Sequence, residues 1–366
     1  MKPNSNYNRA PFPWFGGKSK AASLIWSHFG AECGNYIEPF MGSAAVFLGR
    51  PAEFNGWVTL NDLDGLIVNF WRSVVRDSEA TARAASNPVF ECDLHARHLA
   101  LVNKKTELAI KLMADPDFCD PVLAGWWAWG ACVWIGGGWC DGSGPWQSEP
   151  NADGVPVLTL GGGTGVNRKL PHLGDGGTGV NRKLPHLGDG GKGVNRQLPH
   201  LGNGGRGVNR QLPHLGDGGR GEVSAMLERA YEWFNTLKDN LRGSRIACGD
   251  WQRICSPGTI TRNGVCAVLL DPPYSQTDQV YAEDSNTVAH DVQAWCVANG
   301  INPALRIALC GHDTEHNELE KIGWRVLTWD KSGGYQGADD RERIWFSPAC
   351  LRTSEQLDLF TSKDAT

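Results

Sequence analysis

Short apolar runs alternate along the chain with longer stretches in which apolar residues recur every three or four positions. The short runs predict buried strands, and the longer stretches predict amphipathic helices. The predicted strands lie at residues 35–40, 57–60, 245–248, 266–270, 306–310, 325–329 and 344–346. The predicted helices lie at residues 44–48, 65–75, 78–85, 91–114 and 223–241. Because strands separated by helices build parallel sheets, the pattern predicts an α/β fold with a doubly wound, mainly parallel sheet.

This alternation is interrupted by a tandem repeat. The 14-residue unit GGTGVNRKLPHLGD and its near copies fill residues 162–217. Each unit contains a Pro and several Gly, which oppose a continuous helix. We therefore predict a domain made of residues 1–89 and 242–350, an inserted region at 90–241, and a disordered tail at 351–366.

Charge is distributed unevenly along the 366 residues, of which 41% are hydrophobic and 20% charged. This composition is typical of a globular enzyme and excludes collagen, coiled coil and general disorder. The net charge is −5, but residues 161–221 hold nine Lys or Arg against three Asp, so the rest of the chain carries −11. A nucleic acid would therefore have to meet a local basic surface.

No segment approaches the roughly 18 consecutive apolar residues that a membrane span requires. The first residues lack an apolar signal core, and the eleven cysteines are scattered without a CxxC pair. We therefore expect a protein that stays in the cytosol with reduced, buried thiols, without a membrane and without an obligate protein partner.

The strongest chemical signal is Asp271-Pro272-Pro273-Tyr274, which directly follows the apolar run at 266–270. The prolines fix the backbone just beyond the carboxyl edge of the sheet, where α/β enzymes bind ligands. The Asp271 carboxylate and the Pro272 carbonyl can accept hydrogen bonds from an exocyclic amine, and Tyr274 offers a face for stacking. A plain strand-ending turn is the alternative.

Two further strand ends carry candidate ligand-binding residues. Glu38-Pro39-Phe40 leads into Gly42, which lets a ligand approach the backbone beside a helix start with free N–H groups. Asp62 follows the strand at 57–60, where an acidic side chain suits ribose hydroxyls. A connecting loop and a helix N-cap are the respective alternatives.

Two motifs resemble known sites but lack a required residue. The GGKS sequence at 16–19 resembles a phosphate-binding loop, but Phe12 stands where that loop needs a Gly. His312 and His316 resemble a metal-binding pair, but Asp313 replaces the expected Glu and the segment is predicted to be a loop. We therefore expect neither an NTP site nor a metal.

The motifs PWFGGK, EPFMGSAAVFL, LNDLD and DPPY follow one another in the order found in the Dam-type DNA adenine N6-methyltransferases. The chain resembles this family over its first 75 residues and from about 245 to 350, and RERIWFSP at 341–348 resembles a closing strand region of phage-borne relatives. The resemblance implies the fold of S-adenosylmethionine-dependent methyltransferases. It also implies transfer of a methyl group from S-adenosyl-L-methionine to the N6 amine of a flipped-out adenine in double-stranded DNA, in a bacterial or phage-infected cytoplasm.

The resemblance also implies individual roles. The residues expected to bind the cofactor are Trp14, Lys18, Glu38, Pro39, Phe40, Gly42, Asp62, Asp250 and Asp271. The residues expected to be catalytic are Asp271, Pro272, Pro273 and Tyr274. Among these, Asp250 is assigned because CGDW at 248–251 looks like the segment that contacts the cofactor adenine.

The resemblance ends in the region 90–241, where the family places target recognition. The repeats could contact DNA or be a tolerated surface insertion. Two other functions share many of these features: an N4-cytosine or RNA-adenine methyltransferase, and a non-catalytic DNA-binding or repeat-interaction protein. The Asp at the first position of DPPY favours adenine over cytosine, and the intact DPPY motif argues against a silent protein.

Overall fold

The computed structural model describes residues 10–12, 14, 18–115, 117–134, 139–140, 146–150, 156–160, 223–273, 284–328 and 342–352. The repeats at 162–217, most of the predicted tail and Tyr274 lie outside the described residues.

Nine strands form two sheets among the described residues. The strands are β1 (Asn35–Glu38), β2 (Trp57–Asp62), β3 (Trp146–Pro150), β4 (Pro156–Leu160), β5 (Arg245–Cys248), β6 (Cys266–Leu270), β7 (Leu305–His312), β8 (Arg325–Leu327) and β9 (Glu342–Phe346). The main sheet has the order β5-β2-β1-β6-β7-β9-β8, and β3 pairs with β4 in a separate antiparallel hairpin. In the main sheet β5, β2, β1, β6 and β7 are parallel, whereas β9 is antiparallel to both β7 and β8. The predicted α/β fold with a mainly parallel sheet is confirmed.

Strand ends differ from their predicted positions for identifiable reasons. β1 ends at Glu38 rather than at residue 40, since Pro39 has no N–H to donate to a neighbouring strand. β7 continues to His312, two residues beyond its predicted end, because β9 pairs with it as far as His312 opposite Glu342. The segment from His312 to His316 was predicted to be a loop; this is wrong for His312, which ends β7, and correct for residues 313–316. β6 is buried at all five positions, as a central strand covered on both faces requires.

Ten helices accompany the sheets in the described part of the chain. They are α1 (Ala22–Phe29), α2 (Ala45–Leu48), α3 (Gly65–Arg76), α4 (Ser78–Ala85), α5 (Glu91–Ala114), α6 (Pro121–Val133), α7 (Val223–Leu241), α8 (Pro257–Ile260), α9 (Asp284–Asn299) and α10 (Asn317–Glu320). Five of these helices, α1, α6, α8, α9 and α10, were not predicted from the sequence. The start of α6 does carry local signals, since Asp120 accepts a hydrogen bond from the N–H of Leu123 and Pro121 opens the helix.

The helices of the region 90–241 pack onto the helices that precede them. α5 lies against α3, α6 against α3 and α4, and α7 against α3 and α4. Gly125 permits the close approach of α6 to α4, because a Cβ atom there would lie 2.5 Å from Cβ of Ala84. Trp127, Trp129 and Phe234 from these helices share one core with Phe70 of α3. The division of the chain at 90 and 241 remains a prediction, and these helices share their core with the sheet domain.

Two observations concern the expectations of no membrane span and of reduced thiols. In the described part of the chain, no helix combines the length and the apolarity needed to cross a membrane. All eleven cysteines are described, and each is a free thiol. Burial raises the pKa of several of them, that of Cys255 to about 12, so these thiols stay neutral at pH 7.

Candidate functional site

Polar side chains converge at one edge of the main sheet, where its parallel strands end. Glu38 is the last residue of β1, Asp62 is the last residue of β2, and Asp271 directly follows β6. These strands lie side by side around the centre of the sheet. Carboxyl ends of adjacent parallel strands meet at the same edge, so three motifs that are distant in the sequence form one site.

A buried ion pair joins the N-terminal motif to the motif after β6. Nζ of Lys18 lies 3.0 Å from Oδ2 of Asp271, with the Lys18 side chain 3% exposed and that of Asp271 22% exposed. Burial lowers the pKa of Lys18, but the negative groups around it, Asp271 first, outweigh burial and hold that pKa above its usual range. Lys18 therefore stays charged and orients the Asp271 carboxylate, which remains open to a substrate from the solvent side.

Glu38 is buried at the end of β1 and carries a raised pKa. Burial raises the pKa of Glu38 to about 8, opposed by the Tyr36 hydroxyl and reinforced by the charges of Asp271 and Asp62. The Tyr36 hydroxyl donates a hydrogen bond of 2.9 Å to Oε2 of Glu38. Glu38 is therefore mostly protonated at pH 7, which lowers the negative charge at this edge of the sheet.

Asp62 holds the turn that follows β1. Its Oδ2 accepts a hydrogen bond of 2.9 Å from the N–H of Gly42, and its Oδ1 accepts one of 2.9 Å from the N–H of Asp64. Burial raises the pKa of Asp62 to about 6 against the effect of these hydrogen bonds. The N–H of Gly42 is thus directed to Asp62.

Gly42 and Trp14 are in direct contact. Gly42 has a φ of +41°, and a Cβ atom at this position would lie 2.5 Å from Nε1 of Trp14. The carbonyl oxygen of Gly42 accepts a hydrogen bond of 3.0 Å from Nε1 of Trp71 in α3. The turn therefore requires Gly, both for its backbone conformation and for the space that the Trp14 ring occupies.

Asn61 is a site residue that was not predicted from the sequence. The residue is buried, and its Nδ2 donates hydrogen bonds to the carbonyl oxygens of Pro39 and Gly249, at 3.0 Å and 2.9 Å. These bonds connect the loop after β1 to the loop after β5. The only signal in the sequence was its place beside Asp62 at a strand end.

The loop after β5 lies beside the turn after β1. Oδ1 of Asp250 accepts a hydrogen bond of 2.8 Å from the N–H of Gln252 and caps a 3-10 turn at Trp251–Arg253. The rings of Trp251 and Phe40 are 6.1 Å apart between their centres. Asp250 is exposed and Phe40 is half-buried, so both are accessible to a ligand at this edge.

The structure brings together Trp14 with Gly42, Lys18 with Asp271, and Phe40 with the Asp250 loop. Pro272 is buried and Pro273 half-buried directly after Asp271, whereas Tyr274 lies outside the described residues. The role of each residue in ligand binding remains a prediction. Among the described residues, no group of three His, Cys, Asp or Glu side chains is arranged to hold a metal ion.

Comparison with known protein families gives a match over the N-terminal part of the chain. The family model described as D12 class N6 adenine-specific DNA methyltransferase matches residues 14–109, about a quarter of the chain. The matched segment contains Lys18, Glu38 and Asp62, and it ends before β5 and Asp271. No curated protein matches the chain.

Proposed function

We propose that the chain transfers a methyl group from S-adenosyl-L-methionine to the N6 amine of a flipped-out adenine, on the premise that residues 14–109 match the D12 class N6 adenine-specific DNA methyltransferase family. The family match supports methylation of adenine in DNA. The cofactor, the flipped base and the residues that contact them belong to the proposal. The observation that supports it most is the ion pair between Lys18, inside the matched segment, and Asp271, beyond it.

The residues at the ends of β1, β2 and β5 suit S-adenosylmethionine. Each Asp62 oxygen accepts one backbone N–H, from Gly42 or Asp64, and a carboxylate retains acceptor capacity for the hydroxyls of a ribose. The half-buried ring of Phe40 and the exposed Asp250 would border the adenine of the cofactor. When bound, S-adenosylmethionine supplies a methyl group that is open to attack by an amine.

The protein's own contribution is to hold the target amine. The Asp271 carboxylate and the Pro272 carbonyl would accept its two hydrogen bonds, which opposes delocalisation of the nitrogen lone pair into the adenine ring. Lys18 keeps the Asp271 carboxylate in place, so the acceptor geometry exists before the base arrives. Tyr274, from its place in the sequence, would stack on the base.

Taking the adenine out of the duplex costs a few kcal/mol in stacking and pairing, on the order expected for enzymes that modify bases. The amine nitrogen loses one proton when it takes the methyl group. A carboxylate oxygen of Asp271 can receive that proton and release it to solvent, since its side chain is partly exposed. This mechanism needs correct positioning and fixed charges at the edge of the sheet.

The region 90–241 would read the target sequence, and the protein would work in the cytoplasm, where DNA and S-adenosylmethionine are both available. α5, α6 and α7 would support this reader, since they pack on α3, which follows Asp62 closely in the chain.

A radiolabel experiment tests the proposal. The purified protein is incubated with methyl-labelled S-adenosylmethionine and either duplex DNA or RNA, and the product is digested to nucleosides. We expect label in N6-methyldeoxyadenosine from the DNA, and none with the Asp271→Ala variant. Label in N4-methylcytosine or in RNA would favour the alternative enzymes, and no transfer to any nucleic acid would overturn the proposal.

A further inference from the structure

A cleft with a volume of about 330 Å³ lies along β5, the outermost strand of the main sheet. β5 forms one wall, and α3 and α5 form the other. The cleft is lined by Arg72 of α3, by Met113 of α5, by Arg245 and Cys248 of β5, and by Arg253 in the turn after β5. Three of these five residues carry a permanent positive charge.

These three arginines form no ion pair in the described part of the chain. Among the described residues, no carboxylate lies within 4.0 Å of the guanidinium nitrogens of Arg72, Arg245 or Arg253. Arg245 and Arg253 are exposed. Four acids lie close in the chain or in the fold, and each has another partner: Asp64 pairs with Lys105 at 3.0 Å, and Asp62, Asp115 and Asp250 accept hydrogen bonds from backbone N–H groups.

Two of the arginines are held in place by the backbone. Nη1 of Arg72 donates hydrogen bonds of 3.2, 3.1 and 2.9 Å to the carbonyl oxygens of Leu112, Asp115 and Phe118. Nη1 of Arg253 donates one of 3.0 Å to the carbonyl oxygen of Cys248. These bonds use one nitrogen of each guanidinium, so donors remain for an anion, and the planar fork of Arg matches the oxygens of a phosphate.

The cleft adjoins the proposed site for the cofactor. Cys248, the last residue of β5 and part of the cleft lining, lies opposite Asp62 in the parallel pairing of β2 with β5. Arg253 follows Asp250 by three positions in the same turn. Arg245 begins β5 and Arg253 follows its end, so an extended ligand that lies along this strand would contact arginines at both ends of the cleft.

We infer that this cleft binds backbone phosphates of the DNA duplex that carries the methylated adenine. The inference rests on the proposed function, which supplies the duplex. Outside residues 161–221 the chain has a net charge of −11, which opposes binding to DNA. A local group of arginines that form no ion pair among the described residues supplies the attraction that binding requires. The apolar side chains of Val68 and Ile246 in the cleft suit the carbons of a deoxyribose.

The test compares Arg245→Gln, Arg253→Gln and the double variant with Arg242→Gln. Arg242 is a matched control, because it lies three residues before Arg245, is exposed, and pairs with Asp239 at 3.7 Å. The measurement is the dissociation constant for a duplex that contains the target sequence, at several salt concentrations and in the absence of turnover. Each contact to a phosphate contributes about 0.9 to the slope of log K against log salt.

We expect the double variant to bind the duplex about tenfold more weakly, with a slope that is shallower by about one to two, on the order that loss of phosphate contacts produces. The Arg242→Gln control should keep the affinity and the slope of the wild type. Since the Arg253 side chain also bonds to Cys248, circular dichroism checks the fold. Arg245→Gln alone carries the test if Arg253→Gln is misfolded, because Arg245 makes no such bond among the described residues.

Three results would overturn the inference. The first is an unchanged slope in the double variant, and the second is an equal change in the control. The third is thermal stabilisation by inorganic phosphate that the double variant loses while it binds DNA normally, which would identify a site for a free anion. A wild-type protein that binds DNA through these arginines but transfers no methyl group would instead refute the proposed function.

Discussion

Nζ of Lys18 lies 3.0 Å from Oδ2 of Asp271, and this buried contact joins the start of the chain to the motif that follows β6. The family resemblance implies cofactor binding for both residues, and catalysis for Asp271 as well. From the observed contact we expect a second role for Lys18, which is to hold in place the carboxylate that would accept the target amine. Lys18 is almost fully enclosed, so its charge depends on Asp271 as much as Asp271 depends on Lys18 for its orientation.

The mutual dependence of this pair predicts the behaviour of a double variant. Asp271→Ala should abolish methyl transfer and also destabilise the fold by about 3 kcal/mol, because it leaves a buried charge without its partner. Lys18→Met in the same chain should recover most of that stability, and none of the activity. Denaturant unfolding and methyl transfer measure the two effects separately.

A double variant no more stable than Asp271→Ala would contradict the role of the pair in folding. Full activity of Lys18→Met alone would contradict its role in positioning. Lys18→Arg serves as the conservative comparison, since it keeps the charge and changes its shape.

The raised pKa of Glu38 leads us to expect that the free energy of unfolding depends on pH. Its pKa in the folded protein, about 8, lies above the ordinary 4.5, so the folded state binds a proton more tightly than the unfolded state. The stability that Glu38 contributes is complete below pH 4.5 and is lost as the pH rises towards 8, at up to about 1.4 kcal/mol per pH unit. The pKa of Asp62 is raised from the ordinary 3.8 to about 6, so Asp62 also loses its contribution to stability as the pH rises, but between about pH 4 and pH 6.

Glu38→Gln should remove this loss, because the amide is neutral and its oxygen still accepts from the Tyr36 hydroxyl. The advantage of the variant in free energy of unfolding should therefore grow from pH 5 to pH 8. Denaturant titrations at four pH values measure it, and parallel stability profiles for variant and wild type would show that Glu38 ionises normally.

The close contact of Gly42 with Trp14 leads us to expect that a single added methyl group lowers both stability and cofactor binding. Gly42→Ala places a Cβ atom 2.5 Å from Nε1 of Trp14 in a backbone with a φ of +41°. We expect a loss of about 1–3 kcal/mol in stability and weaker binding of S-adenosylmethionine in calorimetry. Gly258→Ala is the control, since a Cβ atom added there would meet nothing within 4 Å. Equal effects at both positions would remove the special role of the turn.

The sequence predicted the strands around the site because each is an apolar run that stops at a polar or turn-forming residue. The predicted bounds of β5 and β6 agree with the structure at both ends. α6 was missed because its apolar side chains surround the helix, including Trp127 and Trp129, and leave no polar face to give a helical period. α9 was missed because its apolar residues do not gather on one side.

The candidate site was predicted only in its outline. Motifs at strand ends located Glu38, Asp62 and Asp271, since parallel strands end at a common edge. The ion pair of Lys18 with Asp271 and the raised pKa of Glu38 depend on burial and on contacts between distant parts of the chain. No local pattern of residues records such contacts, so the structure was needed to find them.

The repeats at 162–217 lead to a prediction that rests on sequence alone. Each unit carries an Arg beside a Lys or Gln, as in Arg168-Lys169 and Arg196-Gln197, so cationic groups recur every 14 residues. Such an array can follow a phosphate backbone without reading bases, and it would add affinity that salt weakens.

Removal of residues 176–217, which are three whole units, should leave methyl transfer to the same target sequence. Duplex binding should weaken, with a shallower dependence on salt. Equal slopes for the shortened and full chains would leave the repeats without a role on DNA, and a changed target sequence would make them part of the reader.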